Sequence, residues 1–278
     1  MKSSALFFLL LISISSIISS EEIDVLFNSD YYPFEFVNDK GDPDGFTIDL
    51  IYAIAREAAI NINLIKGNWQ LSDDALYSGN IDLVPRYLPE KTAEHIITSD
   101  SLFSVYFSFI QKKAVSYKNF NSLRNRTVIL SSGDSSEEYL ISREYSAQEI
   151  LTKSWMDSLN ALNNDYGDYS IVSTIHYKLY SDEFKNRLHI INDLNLSVPF
   201  GFTAAKWDKN IINNVNNGIS IIKVSGEFDS IYRKWFGNEE NLIIKRSKSR
   251  DRISIYIITG SILVLVILFL INKRKVKS

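Results

Sequence analysis

Apolar and polar positions along this chain switch repeatedly between a period of two and a period near 3.6. Ile23-Asp24-Val25-Leu26-Phe27 alternates as a strand. After the Asp42-Pro43-Asp44-Gly45 turn, the apolar residues from Phe46 to Ala59 recur at helical spacing. A β-rich stretch at 60–65, a short helix at 73–77, a Gly79-Asn80 turn and a buried-type strand at 81–84 follow, then a helix opened by Pro89-Glu90. Leu102 to Ile110 is aromatic and β-branched, as expected of a long strand. Beyond Lys112-Lys113 the alternation restarts with a strand at 127–130, a Gly133 turn and a helix at 136–142. Further units are expected at 155–162, 170–172, 188–191 and 200–204, then the amphipathic stretch 209–223 and a last helix at 228–235. Strands alternating with helices imply an α/β class, with parallel sheets covered on both faces. No internal repeat or low-complexity tract interrupts the rhythm.

The two ends break it. Ile253 to Ile271 is an apolar run without a charge, and the basic residues Lys273, Arg274, Lys275 and Lys277 follow it. A helix rising ~1.5 Å per residue needs about 20 such residues to cross a ~30 Å hydrocarbon layer, so this run is expected to span a membrane. At the other end Met1-Lys2 precedes the apolar stretch 5–18 and a Ser-rich segment to Ser20, the pattern of a secretory signal peptide. Basic residues flank the terminal run on both sides, with Lys245, Arg246, Lys248, Arg250 and Arg252 before it. Charge bias therefore does not orient it. A long domain behind a signal sequence is exported regardless of its charge, which places the body outside and the tail in the cytoplasm. The expected organisation is a signal peptide at 1–20, a body at 22–238, a basic linker at 239–252, a transmembrane helix at 253–271 and a cytoplasmic tail at 272–278. That tail is too short to fold, so any signal passed inward needs a partner.

Composition narrows the chemistry. None of the 278 residues is cysteine, which excludes disulfides, thiolate metal sites, a Cys nucleophile and a lipidated Cys anchor. A formal net charge of −3 offers no basic face for nucleic acid. His95, His176 and His189 are scattered, with neither metal-ligand spacing nor a paired nucleophile, so no metal, cofactor or catalytic residue is expected.

Four segments in order carry a resemblance. Tyr31-Tyr32-Pro33-Phe34-Glu35-Phe36 with Gly45-Phe46-Thr47-Ile48-Asp49-Leu50 is the first, and Trp69 with Ala75-Leu76-Tyr77-Ser78-Gly79-Asn80-Ile81-Asp82 the second. Asn121 to Val128 with Ser132-Gly133-Asp134-Ser135-Ser136-Glu137 is the third, and Val224 to Gly237 the fourth. Together they resemble the family 3 extracellular solute-binding proteins, the amino-acid-type receptors of bacterial transporters and the sensing modules of some membrane kinases and cyclases. The resemblance implies a two-lobed periplasmic-binding-protein fold of type II, with ligand held between the lobes. Lobe one is expected at 22–108 and 203–238, lobe two at 113–198, and the hinges near Phe109 and Phe200.

The resemblance also nominates ligand-binding residues. Tyr31 falls where the family stacks an aromatic ring on its ligand, with a place in the core as its alternative, Asn28 at a polar contact just before it, and Trp69 either at the rim of the cleft or as cover for lobe one; Tyr32 and Phe34 read as core. The family's carboxylate-gripping Arg sits in a Thr-Pro-Glu-Arg-like stretch that here reads Leu88-Pro89-Glu90-Lys91, so Lys91 replaces it, and Arg86 at a strand end is the other candidate cation. On lobe two, Gly133 and Ser135, with Ser136, offer backbone N–H groups and hydroxyls, and the acid that usually meets an α-ammonium aligns near the neutral Thr174.

The expected function is a membrane-anchored extracytoplasmic solute-binding protein, single-pass in the cell inner membrane with its main domain periplasmic. It captures a small polar, amino-acid-like ligand for transport or sensing. Its partners are that small molecule, the lipid bilayer, and an ABC permease or membrane sensor protein. Two alternatives stay open: an interaction module whose altered Lys91 and Thr174 no longer bind ligand, and a dehydratase-like enzyme on the same fold.

Overall fold

A computed structural model describes residues 22–67, 69, 72–88, 92–114, 125–132, 148–237 and 244–245. The expected signal stretch, the helices opened by Pro89-Glu90 and at 136–142, and the terminal apolar run lie outside the described residues. Among those described, no helix is long and apolar enough to cross a membrane. The chain divides into two compact units. One takes the described residues of Met1–Pro85 with Thr92–Ser99 and Thr203–Gly237; the other takes those of Arg86–Lys91, Asp100–Phe202 and Asn238–Ser278.

In the first unit β1 (Glu22–Asn28) is followed by a small antiparallel sheet of β2 (Asp30–Tyr31), β3 (Glu35–Val37) and β4 (Pro43–Asp44). Helix α1 (Phe46–Ala58) comes next, then β5 (Asn61–Gly67), which pairs with β1 in parallel from Glu22↔Asn61 to Asn28↔Gly67. Helix α2 is Ser72–Tyr77. The strand expected at 81–84 is displaced: Leu83 makes a single parallel bridge to Val25, and β6 is Val84–Tyr87, whose last two residues belong to the second unit. The displacement has a local cause, because the Asp82 carboxylate accepts from the Asp24 N–H at 2.8 Å and ties the segment to β1 at that point.

Helix α1 buries Phe46, Ile48, Leu50, Ile51 and Ile54, and each such side chain taken from water contributes about 1.5–3 kcal/mol. It packs on the last two helices of the unit, which appear below as α5 and α6, and one glycine fixes its start. Gly45 has φ 134°, and a Cβ there would stand 2.2 Å from the Phe34 carbonyl oxygen. Only glycine tolerates both conditions.

The second unit is built on β8 (Phe103–Lys112), which follows the short β7 (Ile96–Thr98). After β8 come β9 (Thr127–Ser131), β10 (Gln148–Thr152), α3 (Trp155–Asn163), β11 (Tyr169–Ser173) and α4 (Thr174–Phe184). The strands run in the order β10-β9-β11-β8-β12, where β12 is Leu188–Ala205. Only β10·β9 and β9·β11 are parallel; β11·β8 and β8·β12 are antiparallel, so the sheet is mixed rather than parallel throughout. The two short strands expected at 188–191 and 200–204 are one strand. Its register against β8 shifts between Ile191 and Leu196, and that irregularity carries the ladder across the polar stretch that reads as a break in the sequence. The last three residues of β12, Thr203–Ala205, pair with β7 in the first unit, which α5 (Lys209–Ser225) and α6 (Glu227–Phe236) complete. A two-residue strand, β13 (Ile244–Lys245), pairs with β8 within the segment that the sequence marks as a linker.

Candidate ligand-binding site

In open α/β sheets ligands bind beyond the carboxyl ends of the strands, where helix N-termini and turn backbones converge. Asn28 and Thr174, one candidate in each unit, stand at such ends. In the first unit the in-register pairing of β1 and β5 sets Asn28 beside Gly67. The Ser29 N–H then donates to the Gly67 carbonyl at 3.3 Å, which closes the two strand ends against each other. Trp69, two residues on, meets Tyr31 edge to face with ring centroids 4.7 Å apart. Tyr31 also stacks on Phe34 at 5.0 Å.

Asn28 has both its backbone and its side chain engaged. Its Oδ1 accepts from the Asp30 N–H at 3.1 Å, forming the turn into β2, and its own N–H donates to Glu35 Oε2 at 2.7 Å. Tyr31 is 3% exposed, whereas Tyr32, which the sequence assigns to the core, is 48% exposed and packs edge-on against Phe36 at 5.0 Å. Tyr31 pairs with Glu35 across the β2–β3 ladder and is buried with it, whereas Tyr32 stands in the turn that follows β2. Trp69 is half-buried against Leu26, Leu76, Ile81, Val84 and Ile96.

Glu35 stands beside these candidates without having been one of them in the sequence. It is fully buried, and Oε1 has no hydrogen-bond partner among the described residues. Burial raises its pKa well above the ordinary value of 4.5, and the Asn28 N–H bond opposes that rise without cancelling it. The signal available beforehand was a lone acid between Phe34 and Phe36 in a stretch with strand character.

The second unit presents hydroxyls instead. Ser173 caps α4, its Oγ accepting from the His176 N–H at 3.4 Å, and the next residue, Thr174, shares a 2.7 Å hydrogen bond with Ser108 of β8. Thr174 is half-buried. The His176 ring is hydrogen-bonded to Ser173 Oγ through Nδ1 and lies flat on Trp155, with centroids 4.6 Å apart and planes 5° from parallel. Trp155 in turn packs on Phe107 at 5.6 Å, which makes His176 a core residue beneath the hydroxyl group. His189 meets Gln111 at 2.9 Å, and His95 packs on Tyr77.

Arg86 is half-buried in β6, one residue before Tyr87, whose ring contacts Phe107 and Phe200. Lys91, Gly133 and Ser135, with Ser136, lie outside the described residues. The structure therefore brings Tyr31 and Trp69 into ring contact in the first unit, with Asn28 at the end of β1 bound to Glu35, and sets Thr174 on Ser108 in the second. Among the described residues no group of three His, Asp or Glu could hold a metal ion.

Comparison with known proteins adds to this geometry. An arginine-binding periplasmic protein of Mannheimia haemolytica is 23% identical over 83% of this chain and 98% of its own length. The arginine-binding extracellular protein ArtP of Bacillus subtilis is 24% identical over 77% of this chain and 85% of its own. A solved histidine kinase sensor domain, described as similar to periplasmic binding proteins, superposes with a TM-score of 0.70 at 25% identity, covering 78% of this chain and 96% of that one. The two-lobed α/β fold of periplasmic binding proteins is thus the fold of this chain. The model of the bacterial extracellular solute-binding proteins, family 3, matches residues 23–238, and the chain belongs to that family.

Proposed function

We propose that this protein is a membrane-anchored extracytoplasmic receptor that captures a free amino acid and presents its occupancy to a membrane partner, either an ABC permease or a sensor protein. The observation that carries this reading is the family match across 23–238, joined to relatives that include arginine-binding proteins. Anchoring rests on the charge-free run from Ile253 to Ile271 and a periplasmic body on the signal-like stretch at 5–18. The relatives are binding proteins, which favours capture without covalent chemistry. In this reading Asn28, Tyr31 and Trp69 shape the first unit's contribution, and Thr174, Gly133 and Ser135 the second's. Arg86 and Lys91 are the cations available to a ligand carboxylate.

One observation favours a second reading. Tyr31 is covered by Phe34 and Trp69 and leaves little ring face for a ligand, as expected of an interaction module that no longer binds. A thermal-shift panel of the common amino acids, starting with arginine, histidine and glutamine, separates the two. Ligand at 100 times its Kd stabilises by about 2.7 kcal/mol and raises Tm measurably, and calorimetry then gives the affinity. No shift across the panel would sink the receptor reading and leave the interaction module.

A further inference from the structure

Strand β13 lies beyond the residues that the family model matches, and ligand capture assigns it no role. Its place on β8 is informative. A strand has two edges, and β12 covers one of them at the residues in question, with Val198 opposite Val105 and Pro199 opposite Ser104. The other edge belongs to β11 from Tyr169↔Gln111 to Ser173↔Phe107, where β11 ends because Ser173 caps α4. Ile244↔Val105 and Lys245↔Ser104 take up the same edge two residues further along. β13 therefore stands where residues 175 and 176 would have stood had β11 run on, and it points the same way. Val105 is completely buried, so the backbone groups that β11 leaves behind need partners, and β13 supplies them.

We propose that β13 is a strap that fastens the basic segment 239–252 to β8, so that the terminal apolar run departs from the second unit beside the β11–α4 junction. The chain leaves the first unit at Gly237, the end of α6, and without the strap any anchor would pull there. With it, only Arg246 to Arg252 separate β8 from Ile253, a reach of at most about 25 Å at ~3.3–3.6 Å per residue. Ser108, which holds Thr174, lies on the same strand as the strapped Ser104 and Val105, so a candidate ligand residue and the anchor share one short stretch of β8. The inference rests on the proposed membrane anchoring for its purpose, and its test is chosen to separate the two.

The chain has no cysteine, so a pair can be introduced cleanly. Facing residues of an antiparallel ladder lie ~4.5–5.5 Å apart at Cα, within disulfide reach. In the full chain held in lipid vesicles, Val105→Cys with Ile244→Cys should cross-link under mild oxidation at least about tenfold faster than Val105→Cys with Lys248→Cys. Equal rates, or no cross-link, would overturn the strap. Because Val105 is buried, a second measurement leaves it untouched. Ile244→Pro should speed hydrogen exchange across Phe103–Phe107 by about tenfold or more and leave α1 and α3 unchanged, and an unaltered 103–107 exchange would also overturn it. Alkaline carbonate extraction reports on anchoring alone: a cross-linked chain that is stripped from the vesicles loses its anchor and keeps its strap.

Discussion

The two units solve the same local problem, how to finish a strand end that carries candidate binding residues, with opposite chemistry. In the first unit the end of β1 is closed by aromatic rings and one buried acid: Tyr31 lies on Phe34 and Trp69, and Glu35 holds the Asn28 N–H. In the second, the end of β11 is closed by hydroxyls, with Ser173 capping α4 and Thr174 bonded to Ser108. Their shifted carboxyls differ in the same sense. Burial pushes Glu35 up, whereas the hydrogen bond from Lys112, and then that from Arg187, pull the exposed Asp165 down. A carboxyl in an apolar shell resists charge, and one between two cations at the surface welcomes it.

Truncating the aromatic core of either unit tests how far the contrast goes. Phe34→Ala and Trp155→Ala should each cost about 3–5 kcal/mol in urea unfolding, because both rings are buried and packed on other rings. A cost below about 1 kcal/mol at either site would mean that its strand end does not depend on its aromatic packing.

Ser173→Ala should cost about 1–2 kcal/mol, the upper part of the range for a lost N-cap, since the hydroxyl is buried and also meets the His176 ring. The partly exposed cap of α3 is the control. Ser154→Ala should cost about 0.5–1 kcal/mol, and a larger loss there than at Ser173 would reverse the ranking.

The pKa of Glu35 is raised on folding, so the folded chain holds the proton more tightly than the unfolded one. Below the ordinary value of 4.5 both states are protonated and the contribution is fully present; as pH rises through 4.5 toward the folded pKa, the unfolded state ionises first and stability falls. Glu35→Gln should flatten this decline, so that the variant gains on the parent as pH rises when unfolding is followed from pH 4 to 8. Parallel curves would show that Glu35 ionises freely in the folded chain. Asp165 has the opposite sign: its pKa is lowered, so its contribution is present above the ordinary value of 3.8 and is lost as pH falls. Being exposed, it should give the smallest effect of the series. Asp165→Asn should alter only the acid limb of the stability curve, and added salt should erase the difference.

Much of the architecture is legible in the pattern of residues. The helical spacing at 46–59 and the aromatic and β-branched run at 102–110 returned as α1 and β8, because α1 buries an apolar face and β8 is buried along most of its length. The long β12 was not legible as one element, since local polarity broke a ladder that pairing with β8 maintains. The site was legible in part. Tyr31 and Trp69 meet ring to ring and Asn28 ends the strand that precedes them, but which of Tyr31 and Tyr32 is buried is decided by packing on Phe34 and Trp69 and not by their order in the sequence. Neither the burial of Glu35 nor the stacking of His176 on Trp155 is written in the spacing of those residues.

The sequence alone determined the absence of thiol chemistry, the elements with one strong local apolar pattern such as α1 and β8, and the family, through short motifs whose order along the chain does not depend on packing. Tertiary structure alone decided which polar groups lose their water. A carboxyl becomes a reluctant acid, a serine a buried cap and a linker residue a strand only when elements distant in sequence close over them, and that closure sets the free energy of each group.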